Sequence, residues 1–129
     1  MKKEKLDKSL KFGRSLYIPY RKVLVISGEY MEGNNSVPVR DTFIHCLATN
    51  RVERMPDIRV PRTSFAAHYD FGDRYVYVIG GCDGEDMMLR DCEKFDVLNQ
   101  RWVQMPPLNH KRGNPGTFIT PDRRYLYVF

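Results

Sequence analysis

Cysteine is scarce and odd in number: Cys46, Cys82 and Cys92 are the whole complement. With no C-x-x-C spacing among them, a disulfide framework and the common zinc and redox motifs are excluded. Reduced, partly buried thiols in a cytoplasmic protein are expected. Long apolar runs are missing too. Leu16-Tyr17-Ile18-Pro19, which follows a lysine-rich start, falls far short of the roughly 7–15 apolar residues of a signal-peptide core. Nothing approaches the roughly 18 needed to cross a membrane, so no membrane partner is expected. The three histidines (His45, His68, His110) share no ligand spacing, and the serines lack a nucleophile-elbow context, so neither a metal site nor an acyl-transfer triad is expected. Asp83, Glu85 and Asp86 lack the spacing of a calcium loop. They also follow Gly80-Gly81 where a phosphate-binding loop would need to be free of carboxylates. No cofactor and no catalytic residue are expected.

Charge is modest once the start is set aside. Of the net +5, the first eleven residues hold +3, with five lysines against Glu4 and Asp7. The remainder shows no concentrated basic stripe, so a nucleic-acid partner is not expected. Residues 1–12 read as a basic, flexible N-terminal segment.

What the chain does have is a repeat. Arg40-Asp41, Arg51, Met55-Pro56, Arg62 and Arg74-Tyr75-x-Tyr77-Val78 recur fifty residues later as Arg90-Asp91, Arg101, Met105-Pro106, Arg112 and Arg124-Tyr125-x-Tyr127-Val128. Laid over one another without a gap, residues 40–79 and 90–129 agree at 10 of 40 positions. A fixed period of this length implies an array of like units, each burying its apolar face against a neighbour.

One unit can be read strand by strand. Residues 63–70 are small and mixed, suited to a strand where backbones crowd. After the turn at Asp70-Phe71-Gly72-Asp73, Arg74 to Ile79 is β-branched and aromatic throughout and ends at Gly80-Gly81. Such an apolar strand should be covered on both faces. Residues 91–97 form a third strand, and the turn Leu98-Asn99-Gln100 leads to a fourth, Arg101 to Met105. Four short antiparallel strands joined by tight turns describe a propeller blade. The glycine pair allows φ > 0 and leaves no Cβ where blades approach. The aromatics recur in phase with the blade, which favours packing over ligand stacking.

Tyr77-Val78-Ile79-Gly80-Gly81, Phe95-Asp96, Trp102 and Met105-Pro106-Pro107, with Arg62 and Arg112 at the unit starts, resemble the kelch family. The period suits kelch repeats better than WD repeats, no Gly-His or Trp-Asp signature is present, and the sialidase-type Asp box is absent. The resemblance implies an all-β fold, a partial kelch-type β-propeller of four-stranded antiparallel blades. Residues 13–57 would form a degenerate first blade, 58–107 a second and 108–129 the first half of a third. In the first, Ser27-Gly28 replaces Gly-Gly, His45-Cys46 replaces the aromatic-Asp pair, Val52 stands in the place of Trp102, and the loop after Gly28 is longer. Gly28, Gly80, Gly81, Tyr77, Phe95, Trp102 and Tyr127 are the expected structural residues. Since a propeller closes with about 4–8 blades, the remaining blades are expected from the same protein or from self-association.

Strand alternation sends the long second-to-third-strand loops and the inter-blade links to one end of the blades, and the tight turns to the other. Recognition is expected on the long-loop end. Arg59, Arg62, Arg90, Lys111 and Arg112 are the candidate contacts for an acidic protein segment, with the alternative that Arg62 and Arg112 brace neighbouring loops. The resemblance implies a non-enzymatic scaffold or adaptor, such as a ubiquitin-ligase substrate adaptor. A fragment of a propeller enzyme, galactose-oxidase-like or a hydrolase, with its catalytic residues outside these 129, is the competing reading.

Overall fold

The computed structural model describes residues 10–129 except Phe12, Asp73 and Asp86, with only the backbone of Leu10 and Lys11. Every regular element among the described residues is a strand. After a short β1 (Leu10–Lys11), β2 (Arg14–Ile18) and β3 (Lys22–Ile26) form a hairpin. A second hairpin, β4 (Glu29–Glu32) and β5 (Asn35–Pro38), precedes β6 (Thr42–Cys46) and β7 (Arg51–Met55). Then come β8 (Ala66–Asp70), β9 (Tyr75–Ile79), β10 (Cys92–Asp96), β11 (Arg101–Met105), β12 (Thr117–Ile119) and β13 (Leu126–Val128).

Two four-stranded antiparallel sheets result, ordered β2-β3-β6-β7 and β8-β9-β10-β11, followed by the two-stranded β12-β13. The first strand of each sheet lies against its neighbour's: β2 packs beside β8, and β8 beside β12. The sheets therefore fan out as propeller blades with small-residue strands innermost; Ala66 and Ala67 open β8, where bulk would hold the backbones apart. The expected first strand over 63–70 is shorter, because Ser64, Gly80 and Gly81, with φ of 51°, 60° and 100°, interrupt the ladder before it resumes in the same register at the Thr63–Cys82 bridge. Arg74 belongs to the turn instead of to β9, its φ of 55° being incompatible with a strand.

Strand alternation divides the core in two. Leu24, Ile26, Ile18, Ile44 and Met55 of the first blade meet Phe65, Tyr69, Val76, Val78 and Phe95 of the second. The opposite side of the second blade, with Ala66, Ile79, Cys92 and the half-buried Tyr77, packs on Leu126 and Val128 of the third sheet. β9 is thus covered on both faces. Each fully buried aliphatic side chain here is worth roughly 1.5–3 kcal/mol. Trp102, half-buried, tilts against Phe95 with ring centroids 5.1 Å apart, and its indole N–H donates to the Pro56 carbonyl of the preceding blade at 2.9 Å. Tyr127, equivalent to Tyr77, is 52% exposed, since no described strand covers that side of β13.

The longer loop after Gly28 is the β4-β5 hairpin, and β1 adds to it in the order β1-β4-β5. Leu10 lies opposite Tyr30 and Lys11 opposite Glu29. Of the segment 1–12 expected to be flexible, residues 1–9 and 12 lie outside the described residues.

Candidate functional site

The turns Pro19–Arg21, Leu47–Asn50, Val97–Gln100 and those between β8 and β9 and between β12 and β13 sit at one end of the blades. The other end carries the β4-β5 hairpin, the 82–90 loop and the links around 56–65 and 106–116. Irregular backbone at this end is held by many bonds. Thr63 and Cys82 exchange N–H···O bonds of 2.9 and 2.8 Å, the Leu89 N–H donates to Gly81, and the Arg112 N–H donates to Leu89. Gly80 and Gly81, with φ of 60° and 100°, make this possible. A Cβ on Gly80 would lie 2.6 Å from the Arg112 carbonyl of the next link, and one on Gly81 would lie 2.6 Å from the Thr63 carbonyl. In the first blade, Ser27 fills the place of Gly80 with a buried hydroxyl that has no hydrogen-bond partner among the described residues, and Gly28 accepts from the Val39 N–H at 2.9 Å.

Arg62, expected either as a partner contact or as a brace, is fully buried. All five of its N–H donors are engaged. Nε donates to the Val60 carbonyl at 3.4 Å, Nη1 to the Gly80 and Asp91 carbonyls at 2.9 Å each, and Nη2 to the Asp91 carboxylate and to Glu93 Oε2, the latter at 2.8 Å. Glu93 is itself fully buried and also accepts from the Arg59 and Val60 N–H groups at 2.9 and 3.2 Å. The cluster ties the inter-blade link to the third strand of the second blade. No atom of Arg62 is left for a partner.

The other four cations lie where a ligand could reach them to different degrees. Arg59, Arg90 and Lys111 are exposed, and Arg112 is half-buried. Arg59 sits 3.9 Å from Asp91, and Arg90 Nε donates to the Leu108 carbonyl at 2.7 Å. The β4-β5 hairpin, the 82–90 loop and the two links together hold five Arg or Lys residues against six Asp or Glu. Asp91 and Glu93 were not foreseen as loop anchors. The first unit carries Phe43 in place of Glu93.

Among the described residues, no group of three or more His, Cys, Asp or Glu side chains is placed to hold a metal ion, and no helix is long and apolar enough to cross a membrane. Cys46, Cys82 and Cys92 form no disulfide. Burial pushes the Cys92 thiol above its ordinary pKa, whereas hydrogen bonding from Thr49 draws that of Cys46 down.

Comparison with known proteins bears on this geometry directly. The Kelch motif family model matches residues 70–109, from the end of β8 through β11 and its link. A RING finger domain and kelch repeat-containing protein of Dictyostelium discoideum is 30% identical over 88 residues, covering 66% of this chain and 8% of the relative. F-box/kelch-repeat protein SKIP20 of Arabidopsis thaliana is 32% identical over 96 residues, covering 70% of this chain and 22% of the relative. The chain thus spans less than a quarter of the length of either curated relative.

Proposed function

Since this chain belongs to the kelch-repeat family, we propose that it is a non-enzymatic protein-interaction module whose partner lies across the long-loop end of the blades. The observation that carries this reading is the bracing of that end. The Arg62–Glu93–Asp91 cluster and the glycine pair hold irregular loops in one arrangement, and a preorganised loop surface loses little entropy on binding. Arg59, Arg90 and Lys111 supply charge-assisted contacts to an acidic segment. Arg62 leaves that list and supports the surface from beneath. The relatives join kelch repeats to a RING finger domain in one case and an F-box in the other. A substrate adaptor for a ubiquitin ligase is accordingly the finer role we assign, with the blades gripping the protein to be presented. Further blades, from the same protein or from a second copy, would complete the ring.

The test is affinity capture with the full-length protein followed by quantitative binding of the partner recovered. Arg59→Glu/Arg90→Glu/Lys111→Glu should weaken that partner about tenfold or more while melting as the parent does. Unchanged affinity would move the contact surface elsewhere. Bound copper or turnover of a small substrate would favour the enzyme alternative.

A further inference from the structure

The end of the blades that carries the tight turns is the more cationic one. Counting the five turns 19–22, 48–51, 70–74, 98–101 and 120–124, seven Arg or Lys residues stand against three Asp. Two of those carboxylates serve the turns themselves. Asp70 is 7% exposed and accepts from the Gly72 N–H at 2.9 Å, and Asp122 accepts from the Thr120 hydroxyl and the Arg124 N–H. Arg74 and Arg124 expose 52% and 78% of their side chains while lying 3.6 Å from Asp96 and 3.9 Å from Asp122.

Between the first and second blades this end opens into a groove of about 390 Å³. Tyr20, Val97 and Leu98 supply its accessible apolar surface over the buried Ile18, Ile44 and Tyr69, and Lys22 and Arg74 supply its charge. A smaller groove of about 200 Å³ lies one blade on, where Arg124 takes the part of Arg74 beside Tyr77, Ile119 and Leu126. Tyr20, which also lines the larger groove, is 89% exposed with a φ of 66°, and Arg21 follows at 57°. Two bulky residues in succession in the left-handed region, where Asn-Gly is the comfortable choice, bear a conformational cost that their own packing does not offset.

The geometry points to a second docking surface: the tight-turn groove between the first two blades takes an extended acidic segment of a partner protein. An apolar side chain of that segment packs on Tyr20, Val97 and Leu98 above the buried Ile18 and Tyr69, and its carboxylates meet Lys22 and Arg74. Charge complementarity and that apolar surface together select this occupant. A polyanion without apolar side chains, such as RNA, would use the rim and leave the apolar surface wet. This surface is at the opposite end from the long loops and does not depend on them.

The probe is a fluorescein-labelled Asp-Glu-Glu-Phe-Leu-Asp-Glu peptide, titrated with the full chain and followed by fluorescence anisotropy. Saturable binding is expected that weakens about tenfold or more in Lys22→Gln/Arg74→Asn, asparagine being chosen because it tolerates the left-handed backbone. Leu98→Ser alters only an exposed side chain and should also weaken binding, so it decides the matter if the double variant does not fold. Arg90→Glu/Lys111→Glu at the long-loop end should leave this binding unchanged. The proposal is overturned by absence of saturable binding, by equal loss in the loop-end variant, by undiminished binding of the peptide with Gly-Ser in place of Phe-Leu, or by tighter binding of an oligouridylate of equal charge.

Discussion

Arg62 shows how a charged side chain can be structural. Removing a guanidinium from water is costly, and the cost is offset only when every donor finds an acceptor. Here five donors meet two carboxylates and three carbonyls, drawn from the link, the glycine pair and the third strand. Deleting Arg62 alone strands Glu93, which is fully buried, with a charge and no counter-charge. Arg62→Met should therefore lose about 3–5 kcal/mol. Arg62→Met/Glu93→Gln, which removes the stranded charge but keeps an acceptor for the Arg59 and Val60 N–H groups, should recover part of that loss. Urea denaturation of the parent, both single variants and the double variant measures the coupling; additive losses would show that the pair does not act as a unit. None of this was legible from spacing. Glu93 lies thirty-one residues from Arg62 and reads in sequence as one more polar strand residue. Only the chain path brings them together. Trp102 was legible, because an indole in phase with the repeat has little to do but pack.

At the scale of the element, the tight turns were legible and their chemistry was not. Asp96 ends β10 with its carboxylate 1% exposed, accepting from the Leu98 and Asn99 N–H groups and from the Asn99 side chain. Burial pushes its pKa up, but the hydrogen bonds from Asn99 and the nearby Arg74 guanidinium outweigh burial and hold it below the ordinary carboxylate value. The folded pKa is thus below the unfolded one of about 3.9. Its stabilising contribution is complete above that value and drains away as pH falls through the folded pKa. Asp96→Asn keeps one acceptor but not the charge, so the parent's stability advantage over it should shrink below about pH 4. Thermal melts of both proteins across the acid range check this, and a gap that is flat with pH would refute it. The β4-β5 hairpin was legible only as extra length. Asn35 to Pro38 has neither the apolar character nor the alternation that marks a buried strand, because it is a strand exposed to solvent along nearly its whole length.

For the whole molecule, a period of fifty residues was enough to imply blades, since a regular recurrence of strands needs neighbours in kind. Among the described residues, the same logic leaves two faces without cover. Tyr17 and Val52 of the first blade are 56% and 38% exposed, and Phe118, Tyr127 and Phe129 of the third sheet 52%, 52% and 69%. Exposed aromatic surface of this kind, beside the free edge of β13, favours association. Sedimentation velocity of the 129-residue chain should show concentration-dependent oligomers, and arginine or mild detergent should dissolve them. A monomer stable across concentration would mean that these faces are satisfied in some other way.

The pairing of β1 with the edge of β4 also sets where the polypeptide comes and goes. Residue 10 approaches alongside the hairpin, and β13, like β9, runs towards the long-loop end, so both ends of the described chain emerge on one side. A label attached at residue 10 or residue 129 would crowd the braced loops and spare the turns. Probes of the two ends of this molecule will therefore not be equally disturbed by the way it is tethered.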